Sequence, residues 1–216
     1  MIWNGYDGSG RTPSGLSLAI LSVPSWRSRM PLLFPQRARA VICMSFLPTV
    51  LAGRRGEEEF RANRSARIGE LLLARFTELR RLRDKGGAYW TPALSAGLSR
   101  MTLVAELGDP ITARVDVVVD SARLVSREIN KALGEDFQRY ANRSEFQVGL
   151  RQIERPVFVL HGDRDLRPMW AAERLAGPLL NARLVRLPGG HFPWIEAPVE
   201  LRQTLRSFVS DILAAT

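Results

Sequence analysis

The sequence predicts an α/β protein, and three observations carry that reading. Residues 156–196 hold two short apolar runs, Pro156-Val157-Phe158-Val159-Leu160 and Ala182-Arg183-Leu184-Val185-Arg186-Leu187, each stopped by a glycine-containing turn. A third run of the same kind, Ala40-Val41-Ile42-Cys43-Met44-Ser45, stands far upstream. Between it and the other two lie about 100 residues with mostly helical periodicity.

The two C-terminal runs carry the chemistry. The first feeds His161-Gly162-Asp163-Arg164-Asp165, a turn with carboxylates; the second feeds Pro188-Gly189-Gly190-His191-Phe192-Pro193, a turn with an imidazole. A segment from about Met169 to Leu180 is long enough to be the helix of a right-handed crossover between them. Parallel strands would then bring both turns to one sheet edge, where open α/β sheets place their ligands. An aspartate that orients a histidine acting as general base is the back half of a catalytic triad. The plainer alternative is turn carboxylates at Asp163 and Asp165 beside a loop histidine. His161 reads as structural, and Glu196, just before Ala197-Pro198, as a helix-start acid.

The stretch P-V-F-V-L-H-G-D-R-D, followed by L-P-G-G-H-F-P-W-I-E-A-P, closely resembles the C-terminal third of the α/β-hydrolase superfamily, in its proline-iminopeptidase-like and esterase branches. By that resemblance Asp165 corresponds to the triad acid and His191 to the triad base. Phe34-Pro35-Gln36-Arg37-Ala38-Arg39 and the run after it resemble the helix and strand that follow the nucleophile elbow. The helical stretch resembles the lid inserted after the sixth strand. The resemblance thus spans roughly residues 34–216 and implies a partial α/β-hydrolase fold, a mostly parallel sheet remnant with a helical lid insertion. The expected organisation is an atypical segment at 1–33, a core strand at 34–49, a lid at 50–150 and the C-terminal part of the core at 151–216. The implied activity is hydrolysis of an ester, amide or N-terminal prolyl bond, in a small-molecule or short-peptide substrate, through a serine acyl-enzyme with no cofactor and no metal.

Residues 1–33 do not read like the rest. Asp7-Gly8-Ser9-Gly10-Arg11 resembles a turn after an early strand of the same superfamily, but no G-x-S-x-G elbow follows. Ser14, Ser17, Ser22, Ser25 and Ser28 lack bracketing glycines and read as ordinary turn serines. A shift of reading frame allows a different peptide, in which an amphipathic helix, a strand, G-H-S-L-G and an apolar helix run into Phe34. The expectation is therefore that an indel near Leu32 places these residues out of frame. Resequencing with upstream DNA should then restore an open frame with further strands and the elbow; stops in that frame before Leu32 would dismiss the idea. Without a recognisable nucleophile, the chain is expected to be inactive or impaired as a hydrolase. The alternative is a non-catalytic fragment or binding protein that keeps the lid and the Asp–His half.

Within the helical stretch, Phe60, Ile68, Leu71, Leu72, Phe76 and Leu79 recur at three- and four-residue steps, predicting one helix over 57–85 stopped by Gly86-Gly87. Tyr89-Trp90-Thr91-Pro92 reads as a loop. Asp109 and Pro110 start a second helix with a stripe of Ile111, Val115, Val118, Val119, Ala122, Val125, Ile129 and Leu133. Ser144 with Gln147 reads as a capping box. The last helix, Val199 to Leu213, aligns Leu201, Leu205, Phe208, Val209 and Ile212 for packing on the sheet.

The 216 residues, 45% hydrophobic and 25% charged, suffice for one globular core. A single cysteine, Cys43, excludes an internal disulfide and fits a cytoplasmic location. No run approaches a membrane span, and no signal peptide is expected. The net charge of +9 invites a nucleic-acid reading, yet only Lys85 and Lys131 among 31 basic residues are lysine, and no binding motif accompanies the arginines. No specific nucleic acid and no membrane are expected as partners. The oligomeric state is not legible.

Overall fold

Four short strands, β1 (Leu18–Leu21), β2 (Ala40–Met44), β3 (Val157–Gly162) and β4 (Ala182–Leu187), pair in parallel in the order β1-β2-β3-β4. The computed structural model describes residues 18–21, 39–45, 49–87, 90–109, 132, 135, 139 and 143–215. β2, β3 and β4 form where the apolar runs predict them. β1 falls in the atypical N-terminal segment, where four apolar residues are too few to register as a periodic pattern.

β2 and β3 are buried along almost their whole length, as expected for parallel strands covered on both faces. Their side chains alternate between two cores. Val41, Cys43, Val157 and Val159 point to one face, against Phe146 and Leu150 of α4 (Ser144–Arg151) and Ala172 and Leu175 of α5 (Met169–Ala176). Ala40, Ile42, Phe158 and Leu160 point to the other, against Leu201, Phe208 and Ile212 of α7 (Pro198–Ala214), which follows the one-turn α6 (Pro193–Glu196). Of the stripe predicted for the last helix, Leu201, Leu205, Phe208 and Ile212 face the sheet, while Val209 lies half-buried outside that cluster. Burial pushes the Cys43 thiol up to about 12, so this cysteine is a protonated core residue.

The helix predicted over 57–85 is two helices, α1 (Thr49–Ile68) and α2 (Glu70–Lys85), parted at Gly69 with φ 75°. Glycine alone enters that region without a Cβ penalty, and the apolar stripe continues across the break, so periodicity could not reveal it. α2 ends at Gly86 as predicted. The loop predicted at 89–92 holds at Trp90 and Thr91 and ends one residue early, where α3 (Pro92–Glu106) begins: Thr91 Oγ1 accepts from Leu94 N at 3.3 Å and Pro92 takes the first helical position. Phe76 and Leu79 bury against Leu98, with Ile68, Trp90, Leu94 and Met101 around them, while Leu72 is exposed.

The predicted capping box does not form. Ser144 is the first helical residue of α4, Arg143 holds the cap position, and Ser144 Oγ bonds the adjacent Glu145 carboxylate at 3.3 Å. Tyr89, the second predicted helix beyond Asp109, and Ser14, Ser17, Ser22, Ser25 and Ser28 lie outside the described residues, save Ala132 in that helix. Among the described residues no helix is long and apolar enough to cross a membrane.

Phe208, 4% exposed, stacks on Phe158 of the central strand at 4.4 Å with an interplanar angle of 5°. Phe208→Ala should cost about 3–5 kcal/mol of stability by opening a cavity under the sheet. Urea unfolding followed by circular dichroism measures it, and a loss below about 1 kcal/mol would mean that α7 is held elsewhere.

Candidate active site

Parallel pairing of β3 with β4 carries both predicted turns to the carboxyl edge of the sheet. The turns are locked there by backbone. Asp163 N donates to Leu187 O and Arg164 N to Gly189 O, both at 2.9 Å, while Gly189 N donates to Asp163 Oδ1 at 2.9 Å. Asp163 is thus the carboxylate that closes the two turns on each other. The chain crossing is too tight for side chains: a Cβ on Gly162 would lie 2.0 Å from Gly190 O, and one on Gly190 would lie 2.3 Å from Glu106 O. Glycine is required at both positions because backbone meets backbone there.

Asp165 leaves this turn with a fully enclosed side chain. Its Oδ2 lies 2.8 Å from His191 Nδ1, and its Oδ1 accepts from Arg167 N at 2.9 Å and from Arg167 Nη1 at 3.0 Å. Of the two candidate acids, the structure brings Asp165, not Asp163, to His191. His191 is held from behind as well, its backbone N donating to Glu106 O at 2.9 Å. An ionised carboxylate only accepts, so Nδ1 carries the proton and Nε2 presents a lone pair on the far side of the ring. That is the tautomer a general base at Nε2 requires.

His161 is buried beneath the pair, with Nε2 3.0 Å from Arg167 O. A carbonyl can only accept, so Nε2 is the protonated nitrogen here. Burial lowers the affinity of this ring for a second proton, against the pull of Asp165, and His161 stays neutral as a structural donor.

Three residues that the sequence did not single out, Glu106, Arg167 and Arg67, complete the site together with Glu196. Glu106, the last residue of α3, accepts from Arg167 Nη1 at 2.5 Å, so Arg167 bridges two buried carboxylates. Arg67, in the last turn of α1, donates to Ala105 O, Leu107 O and Arg164 O at 3.2, 2.9 and 2.8 Å. Glu196 accepts from Gly108 N at 2.6 Å, Asp109 N at 3.2 Å and Gly190 N at 2.8 Å. It therefore clasps the end of the helical segment to the histidine turn rather than acting as a helix-start acid. Apart from Glu196 with Gly190, six residues away, and Arg167 with Asp165, two residues away, these partners lie 38 to 97 residues apart, so no local spacing marks them. Glu106, Asp165 and His191 lie close enough to suggest a metal site, each offering an atom within 4.8 Å of the others. Arg167 Nη1 already stands among those three atoms, so the cluster's cation is a guanidinium and the donor set does not fit a metal beside it.

Burial by itself would push the Asp165 carboxyl up. The hydrogen bond and charge of His191, then the charge and backbone N–H of Arg167, outweigh it and hold the group well below the usual carboxylate range. A carboxyl whose folded-state proton affinity is depressed stabilises the fold fully above its unfolded value near 3.8 and loses that contribution as pH falls through the folded value. Wild-type urea midpoints should therefore drop steeply from about pH 5 to pH 2, and Asp165→Asn, less stable at pH 7, should lose much of that slope. Parallel acid profiles for the two proteins would show that Asp165 is not the group responsible.

No protein-family model matches the sequence, and no curated protein matches it. Solved structures do match the fold. A protein described as a non-heme bromoperoxidase, BpoC from Mycobacterium tuberculosis, superposes with a TM-score of 0.54 at 17% identity, over 90% of this chain and 66% of that one. E-2-(acetamidomethylene)succinate hydrolase gives 0.53 at 14% identity, over 91% of this chain and 68% of that one. 2-Hydroxy-6-oxo-6-phenylhexa-2,4-dienoate hydrolase from Rhodococcus gives 0.50 at 18%, over 87% and 62%. The chain spans about two thirds of the length of these structures. With its small parallel sheet and helix-rich remainder, the chain has a partial α/β-hydrolase fold.

Proposed function

We propose that this chain carries the acid–base half of a serine-hydrolase site, with Asp165 orienting His191 and His191 serving as general base. The observation that carries the reading is the 2.8 Å contact between His191 Nδ1 and a fully enclosed Asp165 carboxylate. In acyl transfer, Nε2 takes the proton of a hydroxyl nucleophile as its oxygen attacks the scissile carbonyl, and returns it to the leaving group. The negative charge of Asp165 offsets the imidazolium formed between those steps. This chemistry runs without a metal or cofactor.

The substrate class that goes with the reading is an ester, amide or N-terminal prolyl bond in a small molecule or short peptide. α1 to α3 form the lid over it. In support, the end of α3 is bonded directly to the histidine turn through Glu106 O and Glu196, and α1 reaches the acid turn through Arg67.

Activated aryl esters and amino-acid arylamides, prolyl included, test the base assignment. Turnover should be weak, should fall at least about tenfold in either His191→Ala or Asp165→Asn, and should fall no further in the double variant, because the two act as one unit. Turnover indifferent to both substitutions would remove the assignment.

A second reading is favoured by one specific observation: no serine of this chain stands in a G-x-S-x-G frame. On that reading the chain is a non-catalytic fragment or binding protein. Labelling by a fluorophosphonate should then not exceed that of a His191→Ala control. His191-dependent labelling, mapped to one serine, would identify the nucleophile and discard the second reading.

A further inference from the structure

We propose that Glu106 is a positioning residue that keeps the proton of His191 on Nδ1, by holding one hydrogen of Arg167 away from that nitrogen. The inference rests on the reading of Asp165 and His191 as an orienting acid and a base, and adds a device that their own contact does not supply.

The argument is a count of hydrogens. Arg167 Nη1 carries two, and a guanidinium neither accepts nor gives up a proton. Among the described residues three atoms lie within reach of it: Glu106 Oε2 at 2.5 Å, Asp165 Oδ1 at 3.0 Å and His191 Nδ1 at 3.0 Å. His191 Nδ1 has a single in-plane position, contested by Asp165 Oδ2 at 2.8 Å. One assignment satisfies every atom. Nη1 gives one hydrogen to Glu106 and one to Asp165 Oδ1, and Nδ1 keeps its own proton and gives it to Oδ2.

Without Glu106 the first hydrogen loses its acceptor, and His191 Nδ1 is the remaining atom of the three. A guanidinium donating into Nδ1 drives the imidazole proton to Nε2, the nitrogen that must stay bare to act as base. Glu106 also balances charge. Two carboxylates against one guanidinium leave one negative charge beside the imidazole, whereas Arg167 with Asp165 alone would leave none. Glu106 comes from the helical segment and the other three groups from the core, so seating of that segment sets the tautomer.

Nitrogen-15 NMR of the histidine-labelled full chain reads this directly, because His161 and His191 are its two histidines. Wild type should show His161 protonated on Nε2 and His191 on Nδ1. Glu106→Leu should lose most of the His191 Nδ1–H signal, and Glu106→Leu with Arg167→Met should restore it, while His161 keeps its own pattern as the control for folding. Should Glu106→Leu fail to fold, Glu106→Asp retracts the carboxylate by one methylene and should lose part of the signal. An unchanged His191 tautomer in whichever single variant folds, or a loss that Arg167→Met does not reverse, overturns the proposal. A wild-type His191 protonated on Nε2 would instead overturn the acid–base reading beneath it.

Discussion

An enclosed carboxylate is the constraint on which the rest of this structure depends. Asp165 has no exposed side-chain surface, and removing a carboxylate from water without partners would neutralise it or unfold the turn. Both oxygens are therefore bonded: Oδ1 to the backbone and guanidinium of Arg167, Oδ2 to His191. Arg167 is itself mostly enclosed and needs a second anion, which Glu106 provides from the end of α3. Loss of one partner from such a buried network leaves a stranded charge and typically costs about 3–5 kcal/mol. The same chain of necessity that stabilises the carboxylate also orients the imidazole.

Backbone does the rest of the positioning. Gly162, Gly190 and Gly108 let three chain segments pass at distances that exclude a Cβ. Glu196 then takes backbone N–H groups from two of them. The helical segment is also bonded to the core beside these turns, with Asn63 Nδ2 donating to Leu166 O at 3.0 Å and Trp170 Nε1 of α5 to Glu59 Oε2 at 2.9 Å. Any motion of α1 away from the core would have to break these bonds.

The arginine-rich composition acquires a structural meaning in the fold. Some arginines make exposed pairs along α1, such as Arg54 with Glu58 and Arg61 with Glu57, which solvent screens and which contribute little. Others are structural: Arg67 binds three backbone carbonyls, Arg55 lies over Trp170 at 4.9 Å, and Arg167 lies over Phe60 at 5.0 Å. A planar, permanently charged fork suits these roles in a way that lysine does not.

What the sequence by itself determined is what short-range chemistry can encode. The β-branched runs at 40–45, 156–160 and 182–187 specify strands, glycine turns end them, and the stripe Leu201, Leu205, Phe208, Ile212 specifies a helix with one apolar side. The pairing of Asp165 with His191 was legible because parallel strands must bring successive turns to one edge. β1 was not legible, since four residues carry too little pattern, and the break at Gly69 was not, since the stripe runs through it. Only the tertiary structure gave Asp163 its role of closing the two turns on each other, two positions from the carboxylate that faces the imidazole. It alone brought Glu106 to Arg167 across 61 residues, because a buried charge takes its partner from whichever element the packing delivers, and no periodicity in the chain records that choice.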